Sequence, residues 1–322
     1  MSDCVVQGRV IKAQSGFFTV YSESGERIIC AAAGRLTKGK YREDALAVGD
    51  WVSVERMPSK DGVSGRIVEV APRKSALSRL DPILSARGKP GQQVRQVLVA
   101  NVDLAAFVFA CAEPEFRPRM LDRYLVGAEA QRLPALIIAS KVDLVGMDGA
   151  RQLFAIYEQI GYEVIYTSIH PDHPAFEGVA QLRERLRGKL SVLTGKSGVG
   201  KSSLLNALKP GLDREVGRIS EAVKKGRHTT VVPELVQLDE QSWIADTPGI
   251  RGYAVWDVEP EELDGYFREI APLVSQCEFS DCTHTHEPGC AVIRAVHAGA
   301  ISRERYESYV RLREELLELR PW

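Results

Sequence analysis

The residues best suited to chemistry form a glycine-rich stretch at positions 195–202, which matches the pattern of a phosphate-binding loop in full. An apolar, strand-like run precedes the stretch and a helix-like run follows it, as such a loop requires. Glycines let backbone N–H groups converge on a phosphate, and the N-terminus of the following helix adds positive potential. We expect Lys201 to act on the β- and γ-phosphates during catalysis and the Ser202 hydroxyl to bind Mg²⁺. The nucleotide-binding residues predicted here are Gly195, Lys196, Ser197, Gly198, Val199, Gly200, Lys201, Ser202 and Ser203.

A second phosphate-related motif is the Asp-Thr-Pro-Gly sequence at 246–249, which follows a short apolar run. At a strand end, Asp246 can hold the Mg²⁺ shell, and the Gly249 N–H can sense a γ-phosphate. Alone, the motif could equally be a plain Pro-Gly turn. Its position downstream of a phosphate loop favours the nucleotide interpretation.

The choice of base depends on the Ser-Lys-Val-Asp sequence at 140–143, again at the end of an apolar run. The Asp143 carboxylate can accept two hydrogen bonds, which fits the N1–H and the amino group of guanine. Adenine has no such donor pair and would leave the carboxylate unpaired. The stem of Lys141 can lie over the base, and Ser140 precedes it. The sequence therefore predicts a guanine site.

The pattern of apolar and polar residues along the chain predicts the elements that position these motifs. From residue 96, apolar strand-like runs alternate with helical patterns, which indicates a mostly parallel sheet with helices on both faces. The first seventy residues instead contain five short strand-like runs separated by Gly-containing turns. These runs predict a small barrel of the OB type, although an SH3-like barrel gives a similar pattern.

Three cysteines and a histidine lie close together near the C-terminal end. Tetrahedral structural zinc takes four nitrogen or sulfur ligands from short loops, and three cysteines with one histidine are a standard set. His286 is a competing imidazole ligand. Four protein ligands leave no open position, so we expect the zinc to stabilise the C-terminal domain. The predicted zinc ligands are Cys277, Cys282, His284 and Cys290.

Composition restricts the class of protein. The chain has 322 residues, 44% hydrophobic and 26% charged, with a net charge of −1, which argues against a surface coated with phosphate-binding side chains. Charge is nevertheless uneven, since residues 73–95 contain six Lys or Arg and one acidic residue. No run approaches the ~18–20 continuous apolar residues of a membrane span. The N-terminus lacks the features of a signal peptide, so we expect a cytoplasmic protein whose six cysteines do not form a disulfide framework.

The order of the motifs is unusual, because the base-reading sequence precedes the phosphate loop and Asp-Thr-Pro-Gly comes last. Ordinary small GTPases begin with the phosphate loop. This order resembles that of circularly permuted GTPases. With the barrel and the cysteine cluster, the chain closely resembles the ribosome small subunit-dependent GTPase A family (RsgA, also called YjeQ or YloQ). Further matching residues are Gly49-Asp50, Arg73-Lys74-Ser75, Ala100-Asn101-Val102-Asp103 and Gly226-Arg227-His228-Thr229-Thr230.

The resemblance implies a multidomain α/β protein. Its parts are an OB-like barrel at 1–71, a basic linker at 72–95, a circularly permuted GTPase domain at 96–255 and a helical zinc-binding domain at 256–322. The implied function is GTP hydrolysis as a ribosome-stimulated switch in late maturation of the small ribosomal subunit. The implied partners are that subunit with its rRNA, and guanine nucleotide. The protein is expected to be a monomer with no membrane partner. The residues also admit a permuted GTPase that regulates another RNA or protein, or an RNA-binding module with a structural nucleotide.

The resemblance also assigns roles to single residues. It makes Thr229 and Thr230 the first switch element, with Thr230 on Mg²⁺, and it makes Thr167 and Ser168 a second base-contacting loop through their N–H groups. It matches His284 to the zinc ligand. It also points to His228 as the group that orients the attacking water.

Three positions depart from the usual patterns. Ser140, still a predicted nucleotide-binding residue, stands where the family usually has Asn, so we expect one amide contact to the purine to be lost or weakened. Ile169 replaces a small residue, which a backbone contact tolerates. Ile250 occupies the place where Ras-like proteins have the Gln that orients water, so we expect slow intrinsic turnover.

Overall fold

The computed structural model describes residues 5–14, 16–37, 46–60, 62–80, 95–212, 234–246 and 258–318, with only the backbone at 35, 37, 59, 60, 79, 80, 95 and 246. Within these ranges no helix is both long enough and apolar enough to cross a membrane.

The N-terminal part is a closed five-stranded barrel. Its strands follow the order β1-β2-β3-β5-β4, and β4 closes the ring by pairing with β1. All pairs are antiparallel except β3 with β5. Alternate residues such as Val10, Val20 and Ile67 fill its interior. This arrangement confirms the OB-like prediction over the SH3-like alternative. The elements are β1 (Val5–Gln14), β2 (Phe17–Ser22), β3 (Arg27–Ala32), a short helix α1 (Gly34–Thr37), β4 (Trp51–Lys60) and β5 (Val63–Val70).

The middle of the chain is the predicted parallel sheet with helices on both faces. Its strands are β8 (Leu104–Ala110), β9 (Ala135–Ser140), β10 (Glu163–Tyr166), β11 (Leu190–Thr194), β12 (Glu234–Gln237) and β13 (Trp243–Asp246). Their order is β10-β9-β8-β11-β13-β12, and only β12 is antiparallel to its neighbour. All seven residues of β8 are buried, as expected for a central strand covered on both faces. The helices are α2 (Pro118–Ala130), α3 (Gly146–Gln159), α4 (Glu177–Leu186) and α5 (Lys201–Leu208).

The segment predicted to be a linker contains a strand. Two further strands, β6 (Ala76–Leu80) and β7 (Arg95–Ala100), form an antiparallel ribbon. Residues 76–80 are therefore ordered structure, and Leu77 is fully buried in the core of the GTPase-like domain. The domain limits themselves stay a prediction.

The barrel and the parallel sheet are joined into one eleven-stranded sheet, because β1 pairs with β12. A polar junction supports the connection. Fully buried Asp50 accepts hydrogen bonds from Arg73 at 2.7 and 2.8 Å. Asn101 donates to the Gly49 carbonyl at 3.1 Å. A side chain at Gly49 would come within 2.0 Å of the Ala100 carbonyl oxygen. Gly49, Asp50, Arg73 and Asn101, which match the family pattern, therefore hold the barrel against the GTPase domain.

The C-terminal part contains three helices, the last of which packs against α2. These are α6 (Ala271–Val274), α7 (Ala291–His297) and α8 (Arg303–Glu318), preceded by a 3₁₀ turn at Leu263–Tyr266. Its core includes Phe267, Val292 and Tyr309, and it continues into Val126 of α2.

A buried ion-pair network fixes this docking. Arg305 of α8 is 2% exposed and donates to Asp122 of α2 at 2.6 Å and to Glu269 at 2.7 Å. Tyr157 of α3 also donates to Asp122, at 2.9 Å. Burial alone would lower the pKa of Arg305, but the two carboxylates outweigh it and raise that pKa above its ordinary value. The guanidinium therefore stays charged and links three helices.

Candidate nucleotide and metal sites

The phosphate loop connects the end of β11 to the start of α5. A Cβ at Gly195 would lie 2.3 Å from the Val108 carbonyl oxygen of β8, so only glycine fits there. Gly198 and Gly200 have φ of 85° and 91°, in the left-handed region that favours glycine. Val199 is buried and anchors the loop to the sheet. The glycine pattern thus follows from backbone geometry as well as from ligand access.

The side chains expected to act on phosphate are available at this loop. Lys201 donates to the carbonyls of Gly195 and Lys196, so its ammonium lies over the loop itself. The next two residues, Ser202 and Ser203, are exposed in the first turn of α5. The loop therefore brings together the lysine, the serine hydroxyl and the helix N-terminus.

The base-reading sequence begins with a tie to the phosphate loop. The buried Ser140 hydroxyl lies 2.6 Å from the Val199 carbonyl oxygen and 3.2 Å from that of Phe109. Its side chain is turned toward the phosphate loop, and its expected effect on the purine contact stays a prediction. Lys141 follows with φ of 56°, and its Cε lies 3.9 Å from the Cβ position of Gly200. The base-reading and phosphate-binding loops are therefore in direct contact.

Asp143 lies where the loops after β9 and β10 meet. Its Oδ1 accepts a hydrogen bond from the Ser168 hydroxyl at 2.7 Å, and its Oδ2 lies 3.5 Å from Nε2 of His170. The carboxylate is 18% exposed, which leaves it reachable from solvent. Burial, and then the Asp143 charge, raise the pKa of the nearby Cys111 thiol to about 12. That thiol is therefore a neutral packing group.

The backbone of the second base loop differs from the expectation. The N–H of Thr167 donates to the Ala139 carbonyl at 2.7 Å, and that of Ser168 donates to the Ala175 carbonyl at 3.0 Å. Both N–H groups are thus committed within the protein, and they do not face a base as predicted. Ser168 instead contributes its hydroxyl to Asp143, and Ile169, which follows it, is exposed.

The loop at 111–117, which follows β8, also belongs to the site, although no motif in the sequence marks it. Its Glu113 carbonyl accepts a hydrogen bond from Lys141, and Pro114 lies 3.7 Å from the Cβ position of Gly198. Phe116 anchors it against Phe154, with ring centroids 4.6 Å apart. The signal was topological, because the carboxyl end of every parallel strand reaches the same edge of the sheet.

The second phosphate motif is described only at its start. Asp246 ends β13, and β13 pairs in parallel with β11, the strand that leads into the phosphate loop. The other predicted residues of this region, His228, Thr229, Thr230, Gly249 and Ile250, lie outside the described residues.

The cysteine cluster has the geometry of a tetrahedral metal site. Its four ligand atoms, from Cys277, Cys282, His284 and Cys290, lie within 4.8 Å of one another. The Sγ atoms of Cys277 and Cys290 are 3.9 Å apart, and Nδ1 of His284 is 3.6 and 3.4 Å from them. Tetrahedral Zn–S and Zn–N bonds of about 2.3 and 2.0 Å imply edges of about 3.8 and 3.5 Å. The residues therefore fit a zinc-sized ion.

Polar groups around the cluster orient its ligands. Asp264, which the sequence analysis missed, lies 3.1 Å from Nε2 of His284, so that Nδ1 is left for a metal. The competing His286 instead has Nδ1 2.8 Å from the Thr285 hydroxyl. Glu287 accepts a backbone N–H bond from Thr283 at 2.8 Å. Burial would raise the Glu287 pKa, but the hydrogen bonds it accepts lower it well below the usual range.

A phosphate loop on the central strand of a parallel sheet, beside a base-reading loop that comes earlier in the chain, defines a circularly permuted P-loop GTPase. The RsgA GTPase family model matches residues 70–256, and the RsgA N-terminal domain model matches residues 7–63. The chain belongs to the RsgA GTPase family, which confirms the resemblance seen in the sequence.

Individual relatives agree over nearly the full chain. The small ribosomal subunit biogenesis GTPase RsgA of Gemmatimonas aurantiaca is 45% identical over 310 residues, which is 96% of this chain and 97% of the relative. The crystal structure of YjeQ from Thermotoga maritima matches with 35% identity and a TM-score of 0.76, over 98% of this chain and 100% of the other. YloQ, a circularly permuted GTPase, matches with 30% identity and a TM-score of 0.72, over 99% and 97%. The fold and the enzyme class expected from the sequence are thus confirmed.

Proposed function

We propose that this GTPase acts, as a monomer, as a switch on the small ribosomal subunit during the late maturation of that subunit. The observation that carries the proposal is the placement of one nucleotide site between two outer modules. The barrel is joined to the GTPase sheet by the β1–β12 pair, and the metal-binding domain is joined to α2 by Arg305. The curated relatives named as small ribosomal subunit biogenesis GTPases support this role. The role would place the protein in the cytoplasm. The domain limits remain those proposed above.

In the nucleotide site we assign Asp143 to the guanine N1–H and amino group. Each carboxylate oxygen can accept more than one hydrogen bond, so the Ser168 hydroxyl can keep its bond to Oδ1 while guanine binds. The Lys141 stem, held beside the phosphate loop, is positioned to cover the base edge. Ser140 would act indirectly, by keeping the base loop in register with the phosphate loop through Val199. The selectivity for guanine would thus depend on the Asp143 carboxylate, with Lys141 and Ser140 holding the base loop in place.

At the phosphates, we assign Lys201 and the N–H groups of the loop to charge neutralisation. Mg²⁺, when bound with GTP, would neutralise the β- and γ-phosphate charge further. Its protein contacts would be the Ser202 hydroxyl and Thr230, with Asp246 near its shell. The Gly249 N–H would sense the γ-phosphate. Thr229 belongs to the same switch element as Thr230.

The attacking water needs an orienting group, and the apolar Ile250 cannot provide it. We assign that role to His228, which lies in a basic, glycine-bearing segment beside the switch threonines. Docking on the subunit would bring His228 to the attacking water. Hydrolysis would therefore be slow for the protein alone and fast on its partner.

The cysteine cluster would hold structural zinc, because three thiolates and one imidazole complete a tetrahedral shell. With no open position, the ion would contribute folding free energy to the C-terminal domain. The barrel would contact rRNA through an outer cleft of about 440 Å³ that contains exposed Phe17 and Ile29. Exposed aromatic surface on a barrel of this type suits stacked bases.

Multiple-turnover GTP hydrolysis, with and without purified small subunits, tests the proposal. We expect a stimulation of about tenfold or more, equivalent to about 1.4 kcal/mol of transition-state stabilisation. His228→Ala should lose most of the stimulated rate and keep GTP and subunit binding, whereas Lys201→Ala should lose hydrolysis in both conditions. Equal rates with and without subunits would refute the switch. Stimulation by another RNA alone would assign the enzyme to a different partner.

A further inference from the structure

The barrel and the GTPase sheet meet at a charged pair. Lys12 of β1 and Glu234 of β12 are backbone partners, and Nζ of Lys12 lies 2.9 Å from Oε2 of Glu234. Glu234 is in turn the cross-strand partner of Asp246 in β13. Lys12, Glu234 and Asp246 thus occupy one row across three adjacent strands. The row runs from the barrel to the strand end that we assign to the Mg²⁺ shell.

The same lysine lines the cleft on the outside of the barrel. That cleft of about 440 Å³ is also lined by Phe17, Thr19 and Ile29. Phe17 is 49% exposed, which leaves a face on which a base can stack. A cation beside an exposed aromatic ring and a hydroxyl fits a short stretch of single-stranded RNA, whose phosphate would approach the lysine.

Lys12 therefore has two possible anionic partners. The side chains of Lys12 and Glu234 are 40% and 28% exposed, and ion pairs this accessible are weak. A phosphate in the cleft can consequently replace the carboxylate at little cost. The rest of the junction does not depend on this pair, because Gln237 also contacts the Tyr21 hydroxyl at 3.4 Å and the Tyr21 ring packs against Trp243 at 5.0 Å.

We propose that Lys12 couples single-stranded RNA in the barrel cleft to the Mg²⁺–nucleotide site. When an RNA phosphate binds the Lys12 ammonium in place of Glu234, the Glu234 charge is left uncompensated. Glu234 lies on the strand next to that of Asp246. The added negative potential favours the divalent cation. At about one to two strand spacings from the ion, screened by water and salt, one unit of charge changes cation affinity by about two- to fivefold. The idea rests on the proposed function for the assignment of Asp246.

Because linkage is reciprocal, Mg²⁺ bound beside the nucleotide must raise RNA affinity by the same factor by which RNA raises Mg²⁺ affinity. For the full-length protein, we expect a uridine decamer to bind about threefold more tightly to the complex with a non-hydrolysable GTP analogue and Mg²⁺ than to the complex with the analogue alone. Fluorescence anisotropy of a labelled decamer at fixed ionic strength measures this coupling ratio. The Mg²⁺ concentration that half-saturates the analogue-bound protein, measured with and without RNA, gives an independent value of the coupling ratio.

Two substitutions have opposite effects on RNA affinity and the same effect on the coupling. Lys12→Gln should weaken RNA binding and bring the coupling ratio to one. Glu234→Gln should free the lysine, strengthen RNA binding and also bring the ratio to one. Lys12→Arg, which keeps the charge, should retain the coupling.

The matched control is the Arg66–Glu55 pair on the barrel, at 2.6 Å and with 52% and 30% exposure, whose residues are not among those lining the cleft. Arg66→Gln and Glu55→Gln should leave both the affinity and the ratio unchanged. An unaltered ratio in Lys12→Gln or Glu234→Gln would overturn the inference, as would RNA binding that Lys12→Gln does not weaken. The proposed function fails separately, if small subunits do not stimulate hydrolysis by the parent protein.

Discussion

Replacing Arg305 by Met tests whether the buried ion-pair network fixes the C-terminal domain to the GTPase domain. The change removes the cation shared by Asp122 and Glu269, whose side chains are only 2% and 7% exposed. Removing one partner of a buried pair costs about 3–5 kcal/mol, because the remaining charge is left uncompensated. Tyr157 would still donate to Asp122. We therefore expect the lower end of the range, about 3 kcal/mol.

Hydrogen exchange of the α8 amides is the suitable assay, since it reports local opening of one domain in a multidomain chain. A loss of about 3 kcal/mol corresponds to exchange about 100-fold faster. The control is Arg303→Met on the same helix, where an 84% exposed arginine lies 3.2 Å from Glu307. That change should alter exchange by about twofold at most. Adding apolar replacements of both carboxylates should restore most of the protection. Exchange within fivefold of the parent in Arg305→Met would refute the reasoning.

Four further outcomes are expected. Asp143→Asn should lower GTP affinity by about 100-fold or more and admit xanthosine triphosphate, as measured by nucleotide competition; an unchanged preference for GTP would mean that this carboxylate does not read the base. Gly195→Ala should abolish GTP binding and lower the unfolding free energy by about 1–3 kcal/mol, because its Cβ meets a β8 carbonyl oxygen at 2.3 Å; normal binding in calorimetry would contradict this. Asp264→Asn should weaken zinc binding by about 10- to 100-fold in a competition with a chelator dye, and equal affinity would exclude its orienting role. Chelation at pH 8 should expose three new reactive thiols in a colorimetric thiol titration, while Cys30 and Cys111, buried and with pKa raised to about 12, stay neutral and unreactive; release of fewer thiols would argue against the cluster.

The parts of the site that the sequence predicted are those in which chemistry is local. The phosphate loop and the cysteine cluster each need several residue types within a short stretch, so spacing alone identifies them. The parallel sheet was also predictable, because buried strands such as β8 are almost continuously apolar.

What the sequence did not predict depends on residues far apart in the chain. Asp264 reaches His284 from twenty residues away, and Arg305 reaches Asp122 across 183 residues. Ser140 is a further example. Its pattern position gave no indication of the hydrogen bond that its short hydroxyl makes to the Val199 carbonyl, 59 residues further along the chain.

The N–H groups of Thr167 and Ser168 show why a backbone role is hard to read from a motif. Their direction is set by the neighbouring strand β9 and by the turn that follows, and both accept bonds from these N–H groups. The strand at residues 76–80 was missed for a related reason, since its partner β7 lies beyond an intervening basic, proline-containing stretch.

The pairing of β1 with β12 has a consequence for how the chain is made. The barrel is complete once residue 70 has been synthesised, and its first strand then waits for a partner that begins at residue 234. A loop of this length closes late, because the entropy of joining its ends must be overcome before the contact contributes. Because synthesis proceeds from the N-terminus, the barrel and then the β8–β10 half of the sheet can each fold as soon as they have been made. The nucleotide site would be assembled only when β11, β12 and β13 insert between them, so that a nascent chain cannot bind GTP productively before most of its length exists.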